Sequence, residues 1–102
     1  MVTIALQGDY GKPRPAVVVQ SNLMSDLPSV VICPVTSALR EADFRPVLEP
    51  AGPNGLQTKS QVMTDKITAV KREKVGKRIG KVTRAEMVEI ERCIAEVLGF
   101  GG

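Results

Sequence analysis

Histidine and tryptophan are absent from this chain of 102 residues, and its aromatics are one tyrosine and two phenylalanines. Histidine is the commonest acid–base side chain and the commonest metal ligand. Its absence excludes a Cys/His zinc site and leaves any chemistry to Arg, Lys, Asp, Glu, Thr, Ser, Tyr or Cys. Scarce rings mean few platforms for stacked bases, which argues against readers of the OB or RRM type. A carboxylate-bound Mg²⁺ is not excluded by composition, but no close acidic cluster marks one, and no cofactor is expected. No apolar run approaches a membrane span, and no signal peptide is recognisable. Cys33 and Cys93 are the two cysteines and lack metal-ligand spacing. They read as reduced, mostly buried thiols of a cytoplasmic protein.

What is present is an ordinary globular balance, 43% hydrophobic and 25% charged, with a net charge of +3. That charge suits a polyanionic partner without demanding one. The length fits one domain, residues 1–102, around one aliphatic core. Apolar, β-branched runs predict strands over residues 2–6, 16–20, 30–35, a weaker one over 44–48, then 61–64, 67–70 and 78–82. A two-glycine loop spans residues 7–11, and Gly52-Pro53-Asn54-Gly55 is a turn signal. The last element is a helix. Thr83 and Glu86 form a capping box, Gly99 is the stop, and Met87, Ile90, Ile94, Val97 and Leu98 mark one face. Many strands followed by one helix make an α+β fold, a small sheet or partial barrel covered by a helix.

Two stretches carry charge in a suggestive setting. In Lys12-Pro13-Arg14-Pro15-Ala16-Val17-Val18 a cation sits between two prolines, directly before a strand. Each proline fixes its own φ and biases the preceding residue toward extended backbone, so Arg14 is held stiffly. A fixed guanidinium suits a phosphate or carboxylate, while a proline-rich turn with a solvated arginine is the plainer alternative. Lys71-Arg72-Glu73-Lys74 and Lys77-Arg78 read either as a solvated face or as an approach surface for a polyanion.

These segments, in this order, resemble the MazF/PemK family of toxin endoribonucleases. The matching pieces are Gly11-Lys12-Pro13-Arg14-Pro15-Ala16, Ile32-Cys33-Pro34-Val35-Thr36-Ser37, Gly55-Leu56, Ser60-Gln61-Val62-Met63-Thr64-Asp65-Lys66-Ile67 and Gly76-Lys77-Arg78-Ile79-Gly80. The resemblance implies a small SH3-like antiparallel barrel or sheet with a C-terminal helix. It implies a homodimer that cuts single-stranded RNA without a metal, halts translation and is neutralised by a cognate antitoxin. It puts catalytic roles on Arg14, Thr36 and Asp65. Companion candidates for RNA contact are Lys12, Gln20, Ser37 and Lys66. Members usually carry a short arginine–glycine–aspartate-like segment ahead of the first strand, whereas this sequence opens within that strand. Where some members place a second arginine two positions before the acidic residue, this chain has Met63.

RNA brings its own nucleophile, the 2′-hydroxyl. Arg14 suits stabilisation of the phosphorane charge, because one guanidinium binds two phosphate oxygens. Its pKa, above about 12, makes it a poor base. Thr36 is a donor to a non-bridging oxygen and Asp65 the base candidate. The plainer readings are a strand-ending Thr36, a turn-capping Ser37, an exposed Asp65–Lys66 hairpin pair and a solvated Lys12. A CcdB-like gyrase poison is the competing function. That branch relies on a tryptophan near its C-terminus, which Leu98-Gly99-Phe100-Gly101-Gly102 lacks. An interaction module without activity is the third reading.

Overall fold

A computed structural model of the chain describes the backbone of residues 2–4 and 14–100. The described residues form β1 (Val2–Ile4), β2 (Arg14–Val18), β3 (Ser29–Thr36), β4 (Val47–Leu48), β5 (Ser60–Val62), β6 (Thr68–Lys71), β7 (Val75–Arg78) and α1 (Arg84–Leu98). Short 3₁₀ turns at Asn22–Met24, Gly52–Asn54, Thr64–Lys66 and Arg72–Lys74 join several of them. The glycine loop expected over residues 7–11 and the end of the first expected strand lie outside the described residues.

Every pairing is antiparallel, in the order β4-β5-β3-β2-β1-β7, with β6 also on β3. Among the described residues β4 does not close onto β7, so the sheet is open rather than a closed barrel. β3 is the hub. One side pairs with β2, Ala16 opposite Pro34 and Val18 opposite Ile32. The other side is shared: Ser29 to Ile32 face β6, whereas Val35 and Thr36 face β5. Pro34 sits where the partner changes. Its carbonyl accepts the Met63 N–H at 2.8 Å, and the N–H it lacks would point to that same gap.

Both faces of β2 and β3 are covered, which explains their continuous apolar runs. On one face Val17, Cys33, Val35, Leu48 and Val62 meet Ile90 of the helix, with Met87 and Ile94 packed alongside. On the other, Ala16, Val30 and Ile32 meet Val70 and Val75. The helix starts on the expected capping box: Glu86 N–H donates to Thr83 Oγ1 at 3.0 Å, and Thr83 N–H donates to Glu86 Oε1 at 2.7 Å. Gly99 ends it at φ 82°, and the Phe100 N–H reaches back to the Ala95 carbonyl. Leu98 departs from its expected inward place. It is half exposed, and Cys93 joins Ile90 as the fully buried pair.

Thr64, expected at the end of a strand, lies in the Thr64–Lys66 turn instead, and two strands differ more widely from expectation. Of residues 44–48 only Val47–Leu48 pairs, since the Phe44 and Arg45 carbonyls are taken by the Thr64 and Gln61 side chains. The last strand is Val75–Arg78 rather than 78–82. Past Arg78 the chain leaves the ladder to lie on the Gly52–Asn54 turn, where the Lys81 N–H donates to the Pro53 carbonyl at 2.8 Å. Gly80 permits that approach: a Cβ there would press into the Asn54 carbonyl and stand 2.6 Å from the Pro53 oxygen. On the other side of the seam Gly55 has φ 71°, with the Ile79 carbonyl where its Cβ would be.

Gly80→Ala should therefore cost about 1–3 kcal/mol, the usual range for forced overpacking. In a domain this small that lowers the thermal midpoint by roughly 4–8 °C per kcal/mol. Gly52→Ala, with nothing within 4 Å of its Cβ, should stay within about 0.5 kcal/mol of the parent. Circular-dichroism melts of the two variants test the seam; equal midpoints would show that the turn yields.

Candidate functional site

A cleft of about 840 Å³ opens where β2 begins and β3 ends. The sheet register builds it. The last pair of the two strands is Ala16 with Pro34, and just beyond it Arg14 begins β2 while Thr36 ends β3. Arg14, Thr36 and Ser37 all line the cleft. One wall is the loop through Gly55, Leu56, Gln57 and Thr58, set by the Gly80 seam; Ser60, Met63 and Lys66 line the cleft as well.

Thr36 ends its strand with its hydroxyl oriented. Its Oγ1 accepts the Ala38 N–H at 3.0 Å, which leaves the hydroxyl proton for another acceptor. The turn role and the donor role expected for Thr36 are thus compatible. Arg14 and Ser37 are exposed. The cleft brings together Arg14, Thr36, Ser37 and Lys66 of the expected set. Lys12 lies outside the described residues. Among the described residues no group of three or more Cys, Asp or Glu comes together as a metal site.

Gln20 and Asp65 are placed elsewhere. Gln20 clamps the β2–β3 connection: Nε2 donates to the Met24 carbonyl at 3.0 Å and the Ser29 carbonyl at 3.4 Å, and Oε1 accepts the Val31 N–H at 3.1 Å. Its side chain is occupied by these bonds, and it does not line the cleft. Asp65, expected as a base, sits in the 3₁₀ turn Thr64–Lys66 and points to Arg45. Arg45 Nε donates to Oδ1 at 2.8 Å and Nη2 to Oδ2 at 2.9 Å. The two hydrogen bonds from Arg45 hold the Asp65 carboxyl below its usual range against the opposing effect of burial, and the positive charges of Arg45 and Lys66 add to the lowering. A carboxylate so stabilised as an anion is a weak base. It is not part of the cleft lining, whereas its neighbour Lys66 is.

Sequence reasoning missed Arg45 altogether. The one available signal was a lone cation inside an apolar stretch: the side chain is only 9% exposed, and a charge buried that far requires a partner. The partner is 20 residues away, so no spacing rule reveals it. Gln61 was quoted only for its neighbours, yet its buried amide holds the loop that carries Arg45. Its Nε2 donates to the carbonyls of Arg40 at 2.8 Å and Arg45 at 3.2 Å, and its Oε1 accepts the Arg40 N–H at 2.7 Å. Cys33 lies in the core beneath these groups. Burial, with the Asp65 charge second, pushes its thiol up to about 11, so it stays protonated at neutral pH.

Comparison with known proteins yields one family and a consistent set of relatives. The family model described as "PemK-like, MazF-like toxin of type II toxin-antitoxin system" matches residues 1–98. The "Probable endoribonuclease MazF" of Mycolicibacterium smegmatis is 34% identical over 102 residues, 98% of this chain and 94% of that protein. The solved Mycobacterium tuberculosis toxin MazF-mt6 superposes with a TM-score of 0.81 at 20% identity, covering 97% of each chain. An endoribonuclease from a mycobacterial species, solved in complex with its cognate antitoxin, matches with a TM-score of 0.81 at 25% identity, over 96% of this chain and 90% of that one.

The Arg45–Asp65 pair makes a prediction in acid. Because the folded state lowers the Asp65 pKa, the pair stabilises fully above the ordinary value of 3.8 and fades as pH falls through the lower folded value. Urea midpoints measured between about pH 2 and pH 6 should show a shallower acid limb for Asp65→Asn than for the parent. At neutral pH the variant should be less stable by about 1–3 kcal/mol, since Arg45 keeps a nearly buried charge without its anion. Parallel acid limbs would remove the pair from the stability balance.

Proposed function

The chain belongs to the PemK-like, MazF-like toxins of type II toxin–antitoxin systems, and from that membership we propose that its cleft binds and cuts single-stranded RNA. The observation that carries the reading is that Arg14, at the start of β2, and Thr36, at the end of β3, line one cleft together with Lys66. In the proposed reaction the 2′-oxygen attacks the adjacent phosphorus and the bond from phosphorus to the 5′-oxygen breaks. The products are a 2′,3′-cyclic phosphate and a 5′-hydroxyl. The 2′-hydroxyl proton passes to water, and water returns a proton to the departing 5′-oxygen.

Negative charge grows on the non-bridging oxygens between those steps. Arg14 answers it with two parallel N–H donors, and Thr36 with a hydroxyl whose orientation the Ala38 N–H sets. Lys66 contributes a third donor and a full positive charge, and Ser37 a hydroxyl at the rim. Stabilisation of developing charge carries the rate in this scheme, since the described lining holds cations and hydroxyls and no carboxylate. Gln57 and Thr58, both exposed, offer hydrogen-bonding groups toward the bases, consistent with a chain that has few rings for stacking.

The proposed partner set is single-stranded RNA, a cognate antitoxin such as the one bound to the mycobacterial relative, and a second copy of the chain. Exposed Leu23, Met24 and Leu27 in the β2–β3 connection are consistent with association between copies. Among the described residues no helix is long and apolar enough to cross a membrane. Two unpaired buried thiols and an RNA substrate fit the cytoplasm. Neither the family match nor the solved relatives favour the gyrase-poison alternative.

Purified protein incubated with single-stranded RNA and chelator, followed by mapping of the 5′ ends, tests the reading. Arg14→Ala should lose about 10²–10³ in rate, and Thr36→Val about 10², with unchanged circular dichroism. Full activity in Arg14→Ala, or intact RNA alongside trapped gyrase–DNA complexes for the parent, would overturn it.

A further inference from the structure

The backbone from Met63 to Asp65 is held at every residue by a different part of the molecule. The Met63 N–H donates to the Pro34 carbonyl of β3 at 2.8 Å. The Thr64 hydroxyl, fully buried, donates to the Phe44 carbonyl. The Asp65 carboxylate receives both arms of the Arg45 guanidinium. The turn is closed by the Lys66 N–H on the Met63 carbonyl at 3.0 Å and the Ile67 N–H on the Thr64 carbonyl at 3.3 Å. The fourth residue, Lys66, lines the cleft.

Arg45 is itself fixed. Its N–H donates to the Ala42 carbonyl at 3.1 Å, and its carbonyl is held by Gln61, the residue paired with Thr36 across β3 and β5. A continuous chain of contacts therefore runs from Thr36 through Gln61, Arg45 and Asp65 to Lys66. A two-armed guanidinium–carboxylate pair sets an angle as well as a distance. That matters for a lysine, whose four-carbon stem gives no direction unless its backbone is placed.

We propose that Arg45 and Asp65 are positioning residues that hold the Thr64–Lys66 turn so that Lys66 meets the phosphate bound by Arg14 and Thr36. The proposal rests on the ribonuclease reading and deepens it. Neither residue touches substrate; both act through Lys66. A purely structural pair would lower stability and leave the turnover of the folded protein alone. A positioning pair makes its effect depend on the presence of Lys66.

A double-mutant cycle separates the two. Cleavage of an RNA oligonucleotide in chelator is measured for the parent, Asp65→Asn, Lys66→Ala and the double variant, below the melting range of each. Binding of an uncleavable 2′-O-methyl oligonucleotide is measured across salt concentrations. Each single change should lower kcat/KM about tenfold, mainly in kcat, and the double variant should match Lys66→Ala to within about twofold. The salt slope should fall by about 0.7 in all three, as for one lost phosphate contact on a single strand. Arg45→Lys, which keeps the charge but loses the second arm, should give a smaller loss that vanishes in the Lys66→Ala background, and it serves if Asp65→Asn does not fold. A double variant about a hundredfold down, or an Asp65→Asn protein with parental kcat/KM and salt slope, overturns the positioning role while leaving the ribonuclease reading intact. A parent protein that leaves RNA uncut overturns both.

Discussion

Between Ile32 and Val35 the central strand changes its neighbour on one side, from Thr68 of β6 to Val62 of β5. A strand in a regular ladder offers an N–H at every second residue to each side. Here the residue at the change is Pro34, which has none to offer, so the gap costs no unpaired donor, and its carbonyl is taken by Met63. The chain on the far side of the gap needs only one tight turn, Thr64–Lys66, to pass from β5 to β6. Cleft, turn and lysine all follow from that one interruption. Were β3 paired with a single strand along its length, Lys66 would lie in a ladder instead of on a protruding turn.

The loops around this hub are held mostly by side-chain amides rather than by large apolar side chains. Gln20 binds the β2–β3 connection, Asn54 the Gly52–Asn54 turn and Gln61 the loop before β4. Asn54 is 2% exposed; its Nδ2 donates to the Glu49 carbonyl, and its Oδ1 accepts from Ala51 and Leu56. An amide carries donors and an acceptor in one plane, so it replaces the backbone partners that irregular segments lack. Such a clamp stabilises only when fully satisfied, because a buried unpaired amide is costly. Among the described residues no buried side-chain nitrogen or oxygen is left without a partner. With few aromatics to fill space, this is how a chain of modest core volume keeps long connections in place.

The parts of this architecture that depend on neighbours in sequence were legible there. β2 and β3 announced themselves by continuous β-branched runs, and the helix by Thr83, Glu86 and Gly99, each of which makes the expected bond. The Arg14–Pro15 segment and the Thr36–Ser37 strand end could be named together, and the structure places both in the lining of one cleft. What stayed hidden depends on contacts between distant segments. The end of β7 is decided by Gly80 meeting Asn54, which no local pattern encodes. Asp65 carried the right chemistry for a base, but its environment is set by Arg45, 20 residues upstream. Gln20 reads in the sequence as a candidate for RNA contact, and its clamp, like that of Gln61, shows only once the loops they bind are seen.

The seam at Gly80 also divides the cleft wall into two kinds of chain. Residues 53–55 and 79–81 are locked together by backbone contacts that admit no added atom. Gln57, Thr58 and Lys59, just beyond, are exposed and pack into neither apolar cluster. Of these, Gln57 and Thr58 line the cleft. The wall thus joins a stretch whose backbone fit fixes the fold to one whose side chains are free to vary, and substitutions at Gln57 and Thr58 would alter the cleft's lining at little cost in stability.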